Sequence, residues 1–455
     1  MSGTAEHNSI NDLTRGPIWK KLVLFFLPIC AGRILQQLYN TVDAVIVSRF
    51  VGTEALAAVG GSNAMLTDLV IGFFTMFSAG AAVVIAQYCG AREGSRIKAA
   101  VRSSILFCAA AGIAVSVIML ILAEPILKLL NTPAETIDGA LIYYRIFFGS
   151  CIFNLVFNMG ASILRAVGDS RRPFIYLIVS CASNIALDLL FVVVFKWGVA
   201  GAAWATVIAQ AISCVLVIVN LIRSKETHAL DLSSFKIDFM ILKKMLAVGI
   251  PTGLQSSMYS IANLIVQTGI NSLGTVTVAA WSLYGKLDGF YWSATNSFGA
   301  AIMNFVAQNY GAGKYDRIHK CIKTGFITVL IGCLCINGLI LGIAKPVYTI
   351  FTTDTAVRET CWYLTLIFAP MYIFWTPIEA LNSTLRGRGD TLRPTIILAL
   401  GVCALRIVWI YTAFQIWHNL LVLSLCFPIS WAVTAVVLFI YYKKRKHINF
   451  PESHC

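Results

Sequence analysis

PFIYLIVSCASNIALDLLFVVVF, Pro173 to Phe195, is an apolar run interrupted by Asn184-Ile185-Ala186-Leu187-Asp188. It is long enough to cross a hydrocarbon core about 30 Å thick as a helix. An aspartate inside such a span costs roughly 2.5–3.5 kcal/mol on insertion scales, so it must face a polar cavity or a partner. Asn184 lies one turn earlier on the same helical face. The two side chains offer several oxygens to a proton or a small hard cation. The same pair would also serve as polar glue between two helices.

Working outward, the 455 residues are 58% hydrophobic and 12% charged, with a mean hydropathy of +0.78. This is the composition of a polytopic membrane protein. Twelve stretches can span: 18–46, 54–86, 97–123, 137–164, 173–195, 199–222, 242–270, 276–308, 318–344, 357–385, 393–414 and 419–442. The first has too long an apolar run for a cleaved signal, and no small-residue cleavage site follows it.

The formal charge of +14 follows membrane topology and does not point to nucleic acid. With the N-terminus placed in the cytoplasm, 26 of the 35 Lys and Arg fall in cytoplasmic segments, five in external loops and four within spans. That asymmetry puts both termini and the 223–241 connection on the cytoplasmic side of a plasma membrane. The thirteen cysteines are scattered through apolar spans without a CxxC pair and read as small buried hydrophobes. No histidine falls deep within a span, so carboxylates carry any proton work.

The second half of the chain repeats the first. Ala86-Gln87, Gly90-Ala91, Arg96-Ile97, Pro125, Leu164-Arg165, Gly168-Asp169 and Pro173 recur as Ala307-Gln308, Gly311-Ala312, Arg317-Ile318, Pro346, Leu385-Arg386, Gly389-Asp390 and Pro394, always 221 positions later. A constant shift across separated segments marks an internal duplication. Six spans per half is an even number, so both halves insert with the same orientation. The expected fold is an all-α membrane protein with twelve transmembrane helices in two pseudo-symmetric lobes. These are an N-lobe at 17–222, a cytoplasmic linker at 223–241 and a C-lobe at 242–442, with cytoplasmic tails at 1–16 and 443–455. A cavity is expected between the lobes.

Counting about 1.5 Å per residue from the nearest turns puts Asp43, Asp188 and Thr206 at one level in the outer half. Asn184 and Asn158 lie about one turn deeper, and Tyr39 shares a helical face with Asp43. Pro28 removes a backbone bond within the first span and marks a hinge. In the C-lobe the polar residues are Lys286, Asp288, Glu379 and Arg406, with Asp68 near the repeat-related place of Asp288. These five are candidates for a substrate cavity; Glu379 fits equally an ion site or a partner of Arg406.

GAGKY at 311–315 lacks two features of a phosphate-binding loop, the preceding glycine and the Ser/Thr. No cofactor is expected, no catalytic constellation is visible, and an ion gradient is the remaining energy source. One charge crossing 100 mV supplies roughly 2.3 kcal/mol.

LYNTVDAVIVSRFVG (38–52), AQYCGA (86–91), LRAVGDSRRP (164–173), NIALD (184–188), GVAGAAWAT (198–206), AQNYGAGK (307–314) and LRGRGDTLRP (385–394) resemble the multidrug and toxic compound extrusion family over essentially the whole chain. The resemblance implies a V-shaped pair of six-helix lobes exporting cationic or amphipathic drugs by antiport against H⁺ or Na⁺. It puts the ion-coupling cluster on Tyr39, Asp43, Asn158, Asn184, Asp188 and Thr206, with a carbonyl from Ala202. Na⁺ would sit at Asp43, Asn184, Asp188 and Thr206. It matches Pro28 to a first-helix proline that bends on protonation. The seventh span, with GIPTGLQSSMYSIAN (249–263), lacks the acid of NorM-type members, so the pattern is closer to the DinF-type branch. The expected partners are small-molecule drugs and membrane lipids, with a working monomer in a bacterial cytoplasmic membrane. The rival reading is a flippase or exporter of a lipid-linked or other anionic metabolite, for which Arg33, Lys286 and Arg406 speak.

Overall fold

A membrane interior offers no water to backbone N–H and C=O groups, so a spanning chain must close its hydrogen bonds locally. The computed structural model describes residues 12–445 except 61, 131 and 232–234. The rest of both expected tails, 1–11 and 446–455, lies outside the described residues.

The first half of the chain forms α1 (Ile18–Phe50), α2 (Thr53–Gly60), α3 (Ser62–Ala91), α4 (Gly94–Leu129), α5 (Ala134–Gly149), α6 (Cys151–Ala166), α7 (Arg171–Asp188) and α8 (Gly198–Arg223). A π-helical turn, Leu189–Val194, prolongs α7. The second half forms α9 (Phe239–Ser272), α10 (Thr275–Gly311), α11 (Tyr315–Phe351), α12 (Thr355–Met371), α13 (Trp375–Gly387), α14 (Leu392–Leu398), α15 (Leu405–Tyr411), α16 (Ala413–Ile416) and α17 (Leu420–Arg445). A 3₁₀ turn at Tyr372–Phe374 joins α12 to α13, and a π turn at Ala399–Ala404 joins α14 to α15.

These elements make up the twelve expected spans. Among the described residues eight rods are long and apolar enough to cross a membrane, and a ninth is the α5–α6 pair, bent by 48°. The remaining three are α1, α9 and α10, which interleave polar residues along their length. The bend between α5 and α6 recurs 221 positions on as the 3₁₀ turn between α12 and α13.

The repeated Leu-Arg…Gly-Asp turns have a shared physical cause. Gly168 and Gly389 take φ of +93° and +88°, the left-handed conformation that ends a helix and that glycine adopts at low cost. Asp169 N–H then donates to the Leu164 carbonyl at 2.9 Å, and Asp390 N–H to Leu385 at 3.0 Å. Asp169 Oδ1 also accepts from the backbone N–H of Arg171 and Arg172, starting α7.

The chain divides into two compact units, 1–257 with 304–315, and 258–303 with 316–455. Unit one centres on Leu127, Tyr144, Phe148 and Leu155, all at most 1% exposed. Here α3 meets the start of α9 closely: a Cβ at Gly249 would fall 2.6 Å from the Phe77 ring, and one at Gly253 2.8 Å from Phe73. Small residues let backbones approach where no hydrophobic drive distinguishes helix from lipid. In unit two Val266, Ile270, Ile410, Phe414, Leu423 and Cys426 form a buried cluster.

Candidate functional site

Unit one buries the acid that drew attention in the sequence. Asp188 is the last residue of α7 before its π turn, a type of irregularity frequent at functional sites. It is 0% exposed, and neither of its carboxylate oxygens receives a hydrogen bond from an amide or hydroxyl group of the protein. Asp43, from α1, lies within reach of it, and its Oδ1 is also buried without a donor. One turn back, Asn184 has both amide atoms buried and unpartnered. These five atoms are costly to leave unsatisfied, and two carboxylates in one pocket of low polarity repel unless a proton or cation neutralises them.

The other side chains fill in around the pair. Tyr39 of α1 lies within electrostatic reach of both carboxylates. So does Tyr143 of α5, which is also in reach of Thr206. Thr206 Oγ1 donates to the Ala202 carbonyl at 3.1 Å, tying up the carbonyl assigned to the ion by resemblance. Asn158 donates to the Asn154 carbonyl and to Asn154 Oδ1 at 2.9 and 2.8 Å, so its hydrogen bonds stay within α6. Pro28 lies inside α1, fifteen residues before Asp43.

Tyr143 was missed in the sequence because an uncharged tyrosine does not stand out in an apolar span. Among the described residues no three His, Cys, Asp or Glu side chains gather in a metal-holding cluster.

Unit two has no such pair at the related places; Leu264 and Trp409 stand where Asp43 and Asp188 would map. It holds an aromatic box instead. Asp288, half-buried on α10, accepts from Trp292 Nε1 at 3.0 Å and from the Tyr372 hydroxyl. Tyr284 donates to Tyr372 at 2.6 Å. Tyr291 stacks on Tyr372 with ring centres 3.7 Å apart, and Trp431 also stacks on Tyr372, at 5.7 Å. Both carboxylate oxygens of Asp288 are thus held as acceptors, and among the described residues no lysine or arginine pairs with it. The donors escaped the sequence reading because Tyr372 sits 84 positions away, in the 3₁₀ turn.

Arg406 is 4% exposed, lies 4.1 Å over the Phe427 ring, and donates to Ser430 Oγ and Asn263 Oδ1 at 3.2 and 3.3 Å. Glu379 is buried, accepts from Ser383 Oγ at 3.1 Å and sits so close to α10 that a Cβ at Gly299 would meet it. Lys286 and Asp68 are exposed on α10 and α3.

Two six-span repeats with polar groups buried away from lipid define a membrane transporter. The sequence profile of the MatE family matches residues 28–190 and 251–412, and the chain belongs to that family. It is accordingly a transporter and not an enzyme.

The probable multidrug resistance protein YoeA of Bacillus subtilis (strain 168) is 29% identical, over 95% of this chain and 96% of its own. The multidrug export protein MepA of Staphylococcus aureus (strain NCTC 8325 / PS 47) is 22% identical, over 90% and 92%. A MOP superfamily transporter from Pyrococcus furiosus Vc1 (DSM3638) superposes with a TM-score of 0.89 at 21% identity, covering 96% of this chain and 98% of its own. An outward-facing multidrug resistance MATE family transporter gives 0.88 with the same coverage. At that identity the two structures speak for the fold.

Proposed function

We propose that this protein exports cationic and amphipathic drugs in exchange for H⁺ or Na⁺, with Asp43 and Asp188 as the coupling pair. The observation that carries the reading is the set of five buried, unpartnered polar atoms on Asp43, Asn184 and Asp188. A proton shared by the carboxylates, or a Na⁺ among their oxygens, satisfies these atoms and removes the repulsion. Tyr39, Tyr143 and Thr206 orient the pair. Pro28, lower on α1, is the hinge through which neutralisation alters the helix.

Antiport requires only that ion and drug prefer opposite states of the carrier. The drug side is assigned to unit two, where the fixed carboxylate of Asp288 lies among aromatic faces that suit an organic cation. The relatives named for multidrug resistance and export support this direction. α9 carries no acidic residue, which favours the DinF-type pattern of a single coupling site in the first half. The protein works as a monomer in a bacterial cytoplasmic membrane with both termini inside, as its basic turns direct.

One observation favours the rival, export of an anionic or lipid-linked metabolite: Arg406 is buried with no acid paired to it among the described residues. Proteoliposomes loaded with an ethidium-like cation, given a proton or a Na⁺ gradient separately, distinguish the two. Gradient-driven movement of the cation is expected. Movement of anionic congeners alone would overturn the assignment.

A further inference from the structure

Two glycines related by the internal repeat make reciprocal contacts. A Cβ at Gly90 on α3 would stand 1.9 Å from the Gln308 carbonyl oxygen, and one at Gly311 on α10 would stand 1.9 Å from that of Gln87. The two Ala-Gln-x-x-Gly-Ala motifs thus cross backbone to backbone at the ends of α3 and α10. Only residues without a side chain allow that approach.

A segment from outside the helices lies on this crossing. Leu13 N–H donates to Gln308 Oε1 at 3.2 Å, and the Leu13 carbonyl accepts from Asn309 Nδ2 at 3.2 Å. Lys314 Nζ donates to the Thr14 carbonyl and hydroxyl at 2.9 and 3.3 Å. The Leu13 side chain is 2% exposed, and Asp12 Oδ1 fixes the turn by accepting from Thr14 N–H and Oγ1–H. Gln308 is the hub: its Nε2 donates to the Ala166 carbonyl at 2.7 Å while its own carbonyl meets Gly90.

We infer that residues 12–15 form a strap that bolts the α3–α10 crossing shut and must lift before this end of the protein can open. A carrier that alternates between states needs each seal to be reversible. Four hydrogen bonds and one buried leucine, on a short segment tethered to α1, meet that need. They hold firmly as a set, yet each contributes only modestly and can break. The inference rests on the reading of the protein as an alternating carrier, but its test uses neither drug nor coupling ion.

Cys89, half-buried on α3 beside Gly90 and within electrostatic reach of Asp12, is a native reporter. Purified full-length protein in nanodiscs is alkylated with N-ethylmaleimide, and modification is followed by peptide mass spectrometry, with buried Cys181 as internal control. In Leu13→Asp and in Lys314→Met, Cys89 modification is expected to speed up about tenfold, the effect of losing little more than one net hydrogen bond. Cys181 should be unchanged, and Lys314→Arg should stay close to wild type. Equal Cys89 rates in wild type and both variants would overturn the strap. So would parallel acceleration at Cys181, which means general loosening; the milder Leu13→Ala guards against a folding failure of Leu13→Asp.

Discussion

Asp43 of α1 and Asp188 of α7 face each other, and three of their four carboxylate oxygens are buried without a donor from the protein. Asp43→Asn and Asp188→Asn each remove half of the coupled unit. Both variants are expected to reach the membrane in normal amounts and to lose gradient-driven efflux, while drug binding survives. Vesicle efflux assays beside a binding titration check this. Normal pumping by both would place the engine elsewhere.

Tyr143 extends the same test to a residue the sequence did not suggest. Its hydroxyl is hydrogen-bonded with Thr206 and lies within electrostatic reach of both carboxylates. Tyr143→Phe keeps the ring stacked on Phe147, 5.8 Å away, and deletes only the hydroxyl. Transport should fall about tenfold at a given gradient, the size of about one net hydrogen bond. Thermal stability should hardly move.

In unit two, Asp288→Asn replaces a carboxylate that Tyr372 and Trp292 hold in place. The expected outcome is a changed order of drug preference, with dications and quaternary ammonium compounds losing most, and a gradient dependence left intact. Competition transport with a panel of cations reads it. An unaltered panel would remove Asp288 from the substrate path.

The glycine crossing makes a stability prediction. Gly90→Ala and Gly311→Ala push a Cβ into a backbone carbonyl and should each cost about 1–3 kcal/mol, as overpacking does. Gly338, in α11, has nothing within 4 Å of a Cβ position, so Gly338→Ala should be neutral or slightly stabilising. Melting curves in detergent discriminate the three.

His228, in the connection after α8, is 2% exposed and touches Ser224 Oγ and Glu226. Burial lowers its pKa below the ordinary 6.5, with Arg172 adding to the effect against the pull of Glu226 and Asp169. The buried ring is neutral while the exposed ring takes a proton, so the stability of this turn is fully present above about pH 6.5 and is lost as pH falls below it. Hydrogen-exchange protection factors of residues 224–231 should therefore fall at pH 5.5, and His228→Gln should flatten the dependence.

The sequence by itself determined the spans, their count, the duplication and the two acids. Hydrocarbon thickness, the cost of a buried charge and the left-handed glycines of the Gly-Asp turns act on short stretches, where residue type and spacing suffice. Asp43, Asn184, Asp188 and Thr206 were legible because depth is a simple count along a helix. Tertiary structure alone decided which groups meet across helices. It brought Tyr143 to the carboxylates, kept Asn158 on Asn154 and set Tyr372 against Asp288. It also laid Leu13 on Gln308, 295 positions away. Such contacts depend on the rotation of each helix about its own axis and on where its breaks fall. Packing fixes both, and in a chain apolar on the lipid side and the core side alike, hydrophobic pattern cannot reveal them.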